Sequence, residues 1–161
     1  MKIALLSDTH DNMLNVQRAL DIITEEKVDA IIHAGDYVAP FALKMIVEQK
    51  GDTPFIGVFG NNDGEKRGLL RIGEGMLFDP PHEFTLADKR FYLTHDGATL
   101  DMDTLSETFD IIIFGHSHEV EIERKKDALI INPGECCGVL SGNATFVILE
   151  TDELSTRVIK L

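Results

Sequence analysis

Runs of consecutive apolar residues mark the buried strands in the first half of the chain. Such runs lie in Lys2–Ser7, Ala30–Ala34 and Phe55–Phe59, and each ends in glycine or polar residues. Continuous apolar runs of this length are typical of strands that are buried on both faces. Between them, apolar residues recur at helical spacing from Leu14 to Ile23, and Phe41–Val47 predicts a second helix. This alternation predicts right-handed βαβ units and a parallel sheet.

The second half of the chain is richer in strands. The predicted elements are strands at Glu83–Leu86, Arg90–Thr94, Ile111–Phe114, Val120–Glu123, Leu129–Ile131, Ala144–Glu150 and Arg157–Leu161, and a short helix at Asp101–Thr108. We assign no element to Glu65–Gly75, where three glycines interrupt a stretch of mixed charge. The pattern predicts one α/β domain over residues 1–161, with either a mixed sheet or two packed sheets.

Charge limits the classes of partner. The 161 residues include 15 basic and 28 acidic side chains, which give a formal net charge of −13. This charge argues against broad binding of nucleic acid or anionic membranes. It leaves a phosphate substrate open, because a bound cation reverses the local sign. We expect a cytoplasmic protein, since no apolar run approaches the ~18 residues of a membrane span and the first residues do not form a secretion signal.

Two adjacent cysteines, Cys136 and Cys137, are unsuited to pairing with each other. We interpret them as two small buried apolar side chains. One of them acting as a reactive thiol or a metal ligand is the alternative.

Polar side chains with metal-binding chemistry follow several of the predicted strands. The segments are Asp8-Thr9-His10, Gly35-Asp36, Gly60-Asn61-Asn62-Asp63, Thr94-His95-Asp96 and Gly115-His116-Ser117-His118. Parallel strands bring their carboxyl ends to one edge of a sheet, where ligands bind in open α/β folds. We therefore expect these five loops to converge, although they are distant in sequence.

The donor atoms in these loops suit transition metals. Carboxylates, imidazoles and one amide together form mixed oxygen and nitrogen ligation, which fits manganese, iron, nickel or zinc better than calcium or magnesium. Seven donor residues exceed the needs of one four-coordinate ion. Two ions ~3.5–4 Å apart and sharing a carboxylate would use all of them. Asp8-Thr9-His10 and Gly35-Asp36 alone are common loops, whereas Gly115-His116-Ser117-His118 is unusual after an apolar strand. The joint occurrence of the motifs at strand ends is specific.

The ordered motifs D-x-H, G-D, G-N-x-D, H and G-H-x-H resemble those of the calcineurin-like metallophosphoesterases, over nearly the whole chain. The short chain and the segment Ile131–Gly138 are similar to the small bacterial and archaeal phosphodiesterase branch of that family. This branch is itself similar to the retromer-associated subunit of eukaryotes, a protein–protein scaffold.

The resemblance implies a fold, a reaction and a set of ligands. The family fold is a four-layer αββα sandwich of two mixed β-sheets flanked by helices. Its members hydrolyse phosphate esters with a hydroxide that bridges two metal ions and attacks phosphorus in line. By similarity, Asp8, His10, Asp36 and His118 hold one divalent transition-metal ion, and Asp36, Asn61, His95 and His116 hold the other. Manganese is the ion that we favour, with nickel, iron, zinc and cobalt as alternatives.

One position departs from the family pattern. Many members have histidine in the third motif, where it is thought to protonate the leaving group, but this chain has Asn62. An amide donates a hydrogen bond and is no general acid at neutral pH. We take Asp36 and Asn62 as candidate catalytic residues, and Asn61 and Asn62 as candidate substrate contacts. Asp63 is expected to orient Asn61 or to cap the following helix.

Two classes of function follow from these residues. The leading hypothesis is a phosphoric ester hydrolase that acts on a small substrate, with a phosphodiester favoured over a phosphomonoester. The alternative is a phosphoesterase-fold scaffold for protein–protein interaction, to which the loss of the acid at Asn62 would be suited. A metal-dependent nuclease is disfavoured because no basic groove is evident. Exposed sheet edges permit a homodimer without requiring one.

Overall fold

The computed structural model describes residues 1–161 as eleven strands and four helices. The strands are β1 (Lys2–Leu6), β2 (Ala30–His33), β3 (Phe55–Val58), β4 (Leu77–Phe78), β5 (His82–Leu86), β6 (Lys89–Leu93), β7 (Ile111–Ile113), β8 (Val120–Lys125), β9 (Ala128–Pro133), β10 (Thr145–Glu150) and β11 (Ser155–Lys160). The helices are α1 (Met13–Glu26), α2 (Pro40–Gln49), α3 (Lys66–Ile72) and α4 (Met102–Thr108). None of these helices is long and apolar enough to cross a membrane.

The strands form two mixed sheets. The first sheet has the order β11-β10-β1-β2-β3-β4. Strands β1 to β4 are parallel to one another, whereas β10 runs antiparallel to both of its neighbours, β1 and β11. The second has the order β5-β6-β7-β9-β8, in which β6, β7 and β9 are parallel and the two edge strands are antiparallel. The predicted pair of mixed sheets is confirmed.

The continuous apolar runs exist because the strands are covered on both faces. In β1, Ala4 and Leu6 pack against α1 and α2, whereas Ile3 and Leu5 pack against the second sheet. Fourteen buried residues fill the space between the two sheets, and nineteen lie on the helical side of the first sheet. A smaller cluster of six lies on the outer face of the second sheet, beside α4. The layers are therefore helix, sheet, sheet and helix.

Two elements were not predicted. Helix α3 lies in the stretch to which no element was assigned, where one fully buried side chain, Leu69, anchors it to the core. Strand β4 has only two residues and exists through its pairing with Gly57 and Val58 of β3. Both depend on tertiary contacts, which override weak local preferences.

Asp11 and Asn12 fix the entry to the first two helices. The side chain of Asn12 caps α1 by accepting a hydrogen bond from the Asn15 amide. The Asp11 carboxylate reaches across to the start of α2, where it accepts from the amides of Ala39 and Ala42 at 2.9 Å each. The loop after β1 is thereby tied to the loop after β2.

Candidate metal centre

Six loops meet at one edge of the sandwich, and each follows a strand that runs parallel to a neighbour in its sheet. They follow β1, β2 and β3 in the first sheet and β6, β7 and β9 in the second. Backbone hydrogen bonds join the loops: the Asp8 amide donates to Gly35 at 3.0 Å, and the Cys137 amide donates to Asp8 at 3.0 Å. All seven side chains named from the sequence as metal ligands lie together at this edge.

One cluster consists of four of these side chains, namely Asp8, His10, Asp36 and His118. His118 Nε2 lies 3.4 Å and His10 Nε2 3.7 Å from Asp8 Oδ1. The same His10 nitrogen lies 3.6 Å from Asp36 Oδ2. The donor atoms are therefore separated by about the distance expected between two ligands of one transition-metal ion with bonds of ~2.1 Å.

A second cluster shares Asp36 with the first. His95 Nε2 lies 3.4 Å from Asp36 Oδ2, so that this carboxylate oxygen stands between His95 and His10. Asn61 Oδ1 lies 2.9 Å from His95 Nε2 and 2.9 Å from His116 Nδ1. The two clusters are continuous through a single carboxylate.

Two buried polar atoms in the first cluster have no hydrogen-bond partner. They are Asp8 Oδ1 and His10 Nε2, and they face each other across 3.7 Å. A buried polar atom left unpaired costs on the order of 1–3 kcal/mol. A divalent ion would satisfy both atoms, and the carboxylate and imidazole donors around it fit such an ion.

The backbone of these loops is held in an unfavourable conformation. Positive φ angles occur at five of the seven candidate ligands: Asp8 (51°), His10 (40°), Asp36 (63°), His116 (69°) and His118 (63°). Left-handed conformations are costly for residues with a side chain and cluster at functional sites, where surrounding contacts enforce them. The strain shows that the fold positions these side chains at the expense of local stability.

Two glycines allow the carboxylates to approach the backbone closely. A side chain at Gly60 would collide with the Asp36 carboxylate, and one at Gly115 would collide with Ser7 and the Asp8 carboxylate. The Asp8 Oδ2 atom uses this space to accept from the Ser7 hydroxyl at 2.6 Å and from the His116 amide at 3.1 Å. Glycine is therefore required at both strand ends by packing.

Hydrogen bonds outside the clusters orient the imidazoles. His95 Nδ1 donates to the Ala34 carbonyl at 2.8 Å, which leaves Nε2 free to face Asp36. His118 Nδ1 donates to Glu135 Oε2 at 2.8 Å, which leaves its Nε2 free to face Asp8. Such partners fix the tautomer of a metal-binding histidine.

Glu135 is the functional residue that we did not single out from the sequence. It is completely buried, and besides His118 its carboxylate accepts from Cys137 Sγ, the amides of Leu140 and Ser141, and the Ser141 hydroxyl. Its position directly after a buried strand, like that of the other site residues, was the available signal. Asn132 in the same segment donates to the Gly115 carbonyl and the Ser117 hydroxyl, which supports the loop that carries His116 and His118.

The expected role of Asp63 is wrong. Its carboxylate neither contacts Asn61 nor caps a helix, but accepts from the amides of Gly60 (2.7 Å), Val38 (2.7 Å) and Asp36 (3.2 Å). Asp63 therefore joins the loops after β2 and β3 and holds the backbone of Asp36 in place. The role of Asp63 could not be predicted from the sequence, because Val38 is distant from it along the chain.

Burial and the neighbouring charged or hydrogen-bonding groups shift the pKa values of the site residues in opposite directions. Burial disfavours the ionised form of Asp36, but hydrogen bonds from His95 and Asn62 outweigh it and lower the Asp36 pKa below its usual range. The pKa of His10 is raised by the adjacent Asp8 carboxylate, against the effect of burial. Burial alone would also lower the pKa of His95, but Asp36 raises it. The paired carboxylates thus create a strongly cation-attracting site.

His33 lies beneath the site, and its burial predicts that the stability of the protein depends on pH. Burial lowers its pKa to about 3, and Nδ1 accepts from the Gly35 amide while Nε2 contacts the Thr9 hydroxyl. The unfolded chain therefore binds one more proton than the folded chain between about pH 3 and the ordinary pKa of 6.5. We expect His33 to make the stability fall by about 1.4 kcal/mol per pH unit as the pH drops below 6.5.

Urea unfolding of the metal-free protein between pH 7 and pH 5 tests this expectation. A His33→Gln variant is expected to be less stable at pH 7 but to have a shallower dependence on pH. Parallel curves for the two proteins would show that His33 is not the titrating group.

Fold and site together define a class of protein. Two packed mixed sheets gather carboxylates, imidazoles and an amide at their common carboxyl edge, with no protein nucleophile among them. This arrangement fits a metal-dependent hydrolase of phosphate esters. The match to a family model agrees, since the calcineurin-like phosphoesterase superfamily domain covers residues 1–154. The chain belongs to the calcineurin-like phosphoesterase superfamily, and the family predicted from its motifs is confirmed. Members of this family use divalent metal ions.

Two curated relatives are similar over at least 90% of their length. Phosphodiesterase MJ0936 of Methanocaldococcus jannaschii is 39% identical, over 100% of this chain and 99% of the relative. Phosphodiesterase YfcE of Escherichia coli is 24% identical, over 96% of this chain and 90% of the relative. The chain is thus a phosphoric ester hydrolase by family.

Solved structures extend the comparison to the fold. An archaeal phosphodiesterase superposes with a TM-score of 0.90 at 35% identity, and each chain is covered completely. A Vps29 from Entamoeba histolytica superposes with a TM-score of 0.70 at 15% identity, over 100% of this chain and 98% of that chain. The second likeness is one of fold alone.

Proposed function

We propose that the protein is a metal-dependent phosphodiesterase with a dinuclear centre. Asp8, His10, Asp36 and His118 would hold one ion, and Asp36, Asn61, His95 and His116 the other, with manganese favoured at both positions. The observation that carries this proposal is the pair of unpaired buried atoms, Asp8 Oδ1 and His10 Nε2, within a ring of further metal-binding donors. Mixed oxygen and nitrogen ligation supports a first-row transition metal.

The residues of the chain prepare the centre for an anionic substrate. When bound, two divalent ions supply a nucleophilic water of lowered pKa and stabilise negative charge on the phosphoryl oxygens. The Asp36 carboxylate would serve both ions, and this role is supported by its Oδ2 atom, which faces His10 at 3.6 Å and His95 at 3.4 Å. Glu135 and the Ala34 carbonyl hold His118 and His95 with their Nε2 atoms directed inward.

Asn62 supplies hydrogen bonds and no proton. Its backbone amide donates to Asp36 Oδ1 at 2.8 Å and its side-chain amide donates to Asp36 Oδ2 at 2.7 Å. Asn62 therefore fixes the Asp36 carboxylate, which would be shared by the two ions. The exposed side-chain amide of Asn62 is a candidate contact for a phosphoryl oxygen, as is that of Asn61. Leaving groups that need protonation should react slowly.

A phosphodiester is favoured over a phosphomonoester. The side chains around the opening beside His10 and His118 include no lysine or arginine, so no extra cation is present for the second charge of a monoester. The names of the curated relatives, MJ0936 and YfcE, agree with this preference.

An activity screen tests the proposal. The chelated protein is assayed on p-nitrophenyl phosphodiesters and on p-nitrophenyl phosphate, with each candidate ion added in turn. We expect hydrolysis of the diester that depends on the added ion and exceeds that of the monoester. Absence of hydrolysis with every ion would instead favour the protein–protein scaffold.

Asn62→His is expected to restore a proton donor. Hydrolysis of diesters with poor alkyl leaving groups should rise by about 10- to 100-fold, up to the lower end of the 10²–10⁴ range of general acid catalysis, because an imidazolium donates a proton that an amide does not. Release of p-nitrophenolate should change little, since this leaving group needs no proton. Initial rates on the two kinds of diester measure the difference. Asn62→Gln is the matched control, and an equal effect of histidine on both leaving groups would contradict the expectation.

We also propose the domain organisation, the location and the kind of substrate of the protein. The 14 core residues shared by the two sheets support action as one domain over residues 1–161. Cys136 and Cys137 are both unpaired and buried, which supports their interpretation as two small apolar side chains. The cytoplasm is the proposed location. A small phosphate ester is the proposed substrate.

A further inference from the structure

A cavity of about 390 Å³ opens directly beside the candidate metal centre. Its walls consist of His10, Asn62, His118, Cys137, Val139 and Leu140. One wall therefore contains candidate metal ligands and the other is apolar. Any molecule that fills the cavity is in contact with the centre at which phosphate would bind.

The apolar wall exposes two large side chains. Val139 is 71% and Leu140 is 74% exposed, although they are adjacent in sequence and beside a highly polar site. Exposed aliphatic side chains lose the roughly 1.5–3 kcal/mol that each would gain on full burial. Neighbouring apolar side chains at the mouth of a site suggest a ligand that covers them.

The loop that carries these side chains is fixed in position. Glu135 accepts hydrogen bonds from the Leu140 amide at 3.1 Å and from the Ser141 hydroxyl at 2.7 Å. The side chains of Asn12 and Asn15 donate to the Cys137 carbonyl at 2.8 and 3.1 Å. The apolar wall is therefore preformed, so little conformational entropy is lost when a ligand packs against it.

Charge decides which kind of group fits. The cavity wall contains no lysine or arginine, and the opposite flank of the site, beside His116, carries Asp96 and Glu121. A second phosphate or carboxylate would find no cation on either side. An uncharged apolar group gains from contact with Val139 and Leu140 and meets no repulsion.

We infer that the substrate is a phosphodiester in which one ester group is uncharged and apolar or aromatic, and that this group packs against Val139 and Leu140. The inference rests on the proposed function, because the phosphate must be held by the metal centre while the organic group fills the cavity. Val139 and Leu140 are then specificity-determining residues that contact substrate without taking part in the chemistry.

Binding of two phosphinates, which carry a single negative charge as a phosphodiester does, to the manganese-loaded protein tests the inference by calorimetry. Dimethylphosphinate reports on the metal centre alone, and methyl(phenyl)phosphinate adds a ring of the kind the cavity should accept. We expect the phenyl compound to bind about tenfold more tightly, which corresponds to about 1.4 kcal/mol. In the double variant Val139→Ser/Leu140→Ser the two affinities should agree within about twofold, with that of dimethylphosphinate unchanged.

Leu70→Ser is the control variant, because Leu70 is also exposed, at 48%, but lies on α3 outside the cavity wall. It should retain the preference for methyl(phenyl)phosphinate. Equal binding of both compounds to the unaltered protein overturns the inference and leaves the proposed function intact. Failure to bind dimethylphosphinate overturns the proposed function and this inference with it. If the double variant keeps its preference but loses self-association, the apolar wall contacts a second copy of the chain and the inference is wrong.

Discussion

Asp36→Ala is expected to lower kcat/KM for a phosphodiester by at least about 10³-fold, because the substitution removes the one carboxylate common to both clusters. The number of manganese ions bound per chain should fall from two to one or none. Steady-state kinetics together with metal analysis after gel filtration measure both effects. Loss of the carboxylate also leaves the backbone and side-chain amides of Asn62 without their acceptor.

Asp96→Ala is the matched control for this experiment. Asp96 follows β6 next to His95 and is exposed, and its carboxylate accepts only from the nearby Ala98 amide. The same change of side chain at this position should alter kcat/KM by less than about threefold, as is usual for a surface residue. Comparable losses in both variants would contradict the assignment of Asp36 as the bridging carboxylate.

Glu135→Ala is expected to cause a large loss of stability. The carboxylate is completely buried and accepts hydrogen bonds from His118, Cys137, Leu140 and Ser141, all of which would lose their acceptor. We expect the free energy of unfolding to fall by about 3–5 kcal/mol and Tm by roughly 10 °C. Affinity for the ion held by His118 should fall by about 10- to 100-fold, since the imidazole loses its orientation.

Urea unfolding in the presence of a chelator measures the stability without the contribution of metal. Burial disfavours ionised Glu135, but its donors outweigh burial and lower its pKa below the usual 4.5, so its stabilisation is present above that pH and is lost as the pH falls through the lowered value. Measurements at pH 7 therefore show the full effect. Glu119→Ala, an exposed glutamate in the same region, is the control. Equal stability of the two variants would mean that the Glu135 network does not anchor the loop.

The positions of most strands could be predicted from the chain because burial determines composition locally. The run at Ala30–Ala34 and the observed strand Ala30–His33 differ by one residue, since a strand covered on both faces needs consecutive apolar side chains. Helix α3 and strand β4 could not be predicted in this way. Each is short, and its stability comes from contacts with β3 and the core instead of from its own sequence pattern.

The metal-binding side chains of the candidate site could be predicted from the sequence, but the residues that hold them in place could not. Strand polarity alone places Asp8, Asp36 and Asn61 at one edge of the first sheet, so their strand-end positions carry the information. The structure adds Glu135 and Asp63, whose partners are distant in sequence. A hydrogen bond such as that between His118 and Glu135 depends on how β7 and β9 are aligned, which no local spacing encodes.

The sequence by itself determined which side chains carry the chemistry and that they follow strands, because hydrophobic pattern and donor type are properties of the chain. The tertiary structure alone decided that the edges of two separate sheets meet, that Asp36 stands between two histidines, and that Val139 and Leu140 border the centre. The reason is that contacts between sheets and loops depend on the packing of the whole core, which fixes distances that periodicity along the chain does not specify.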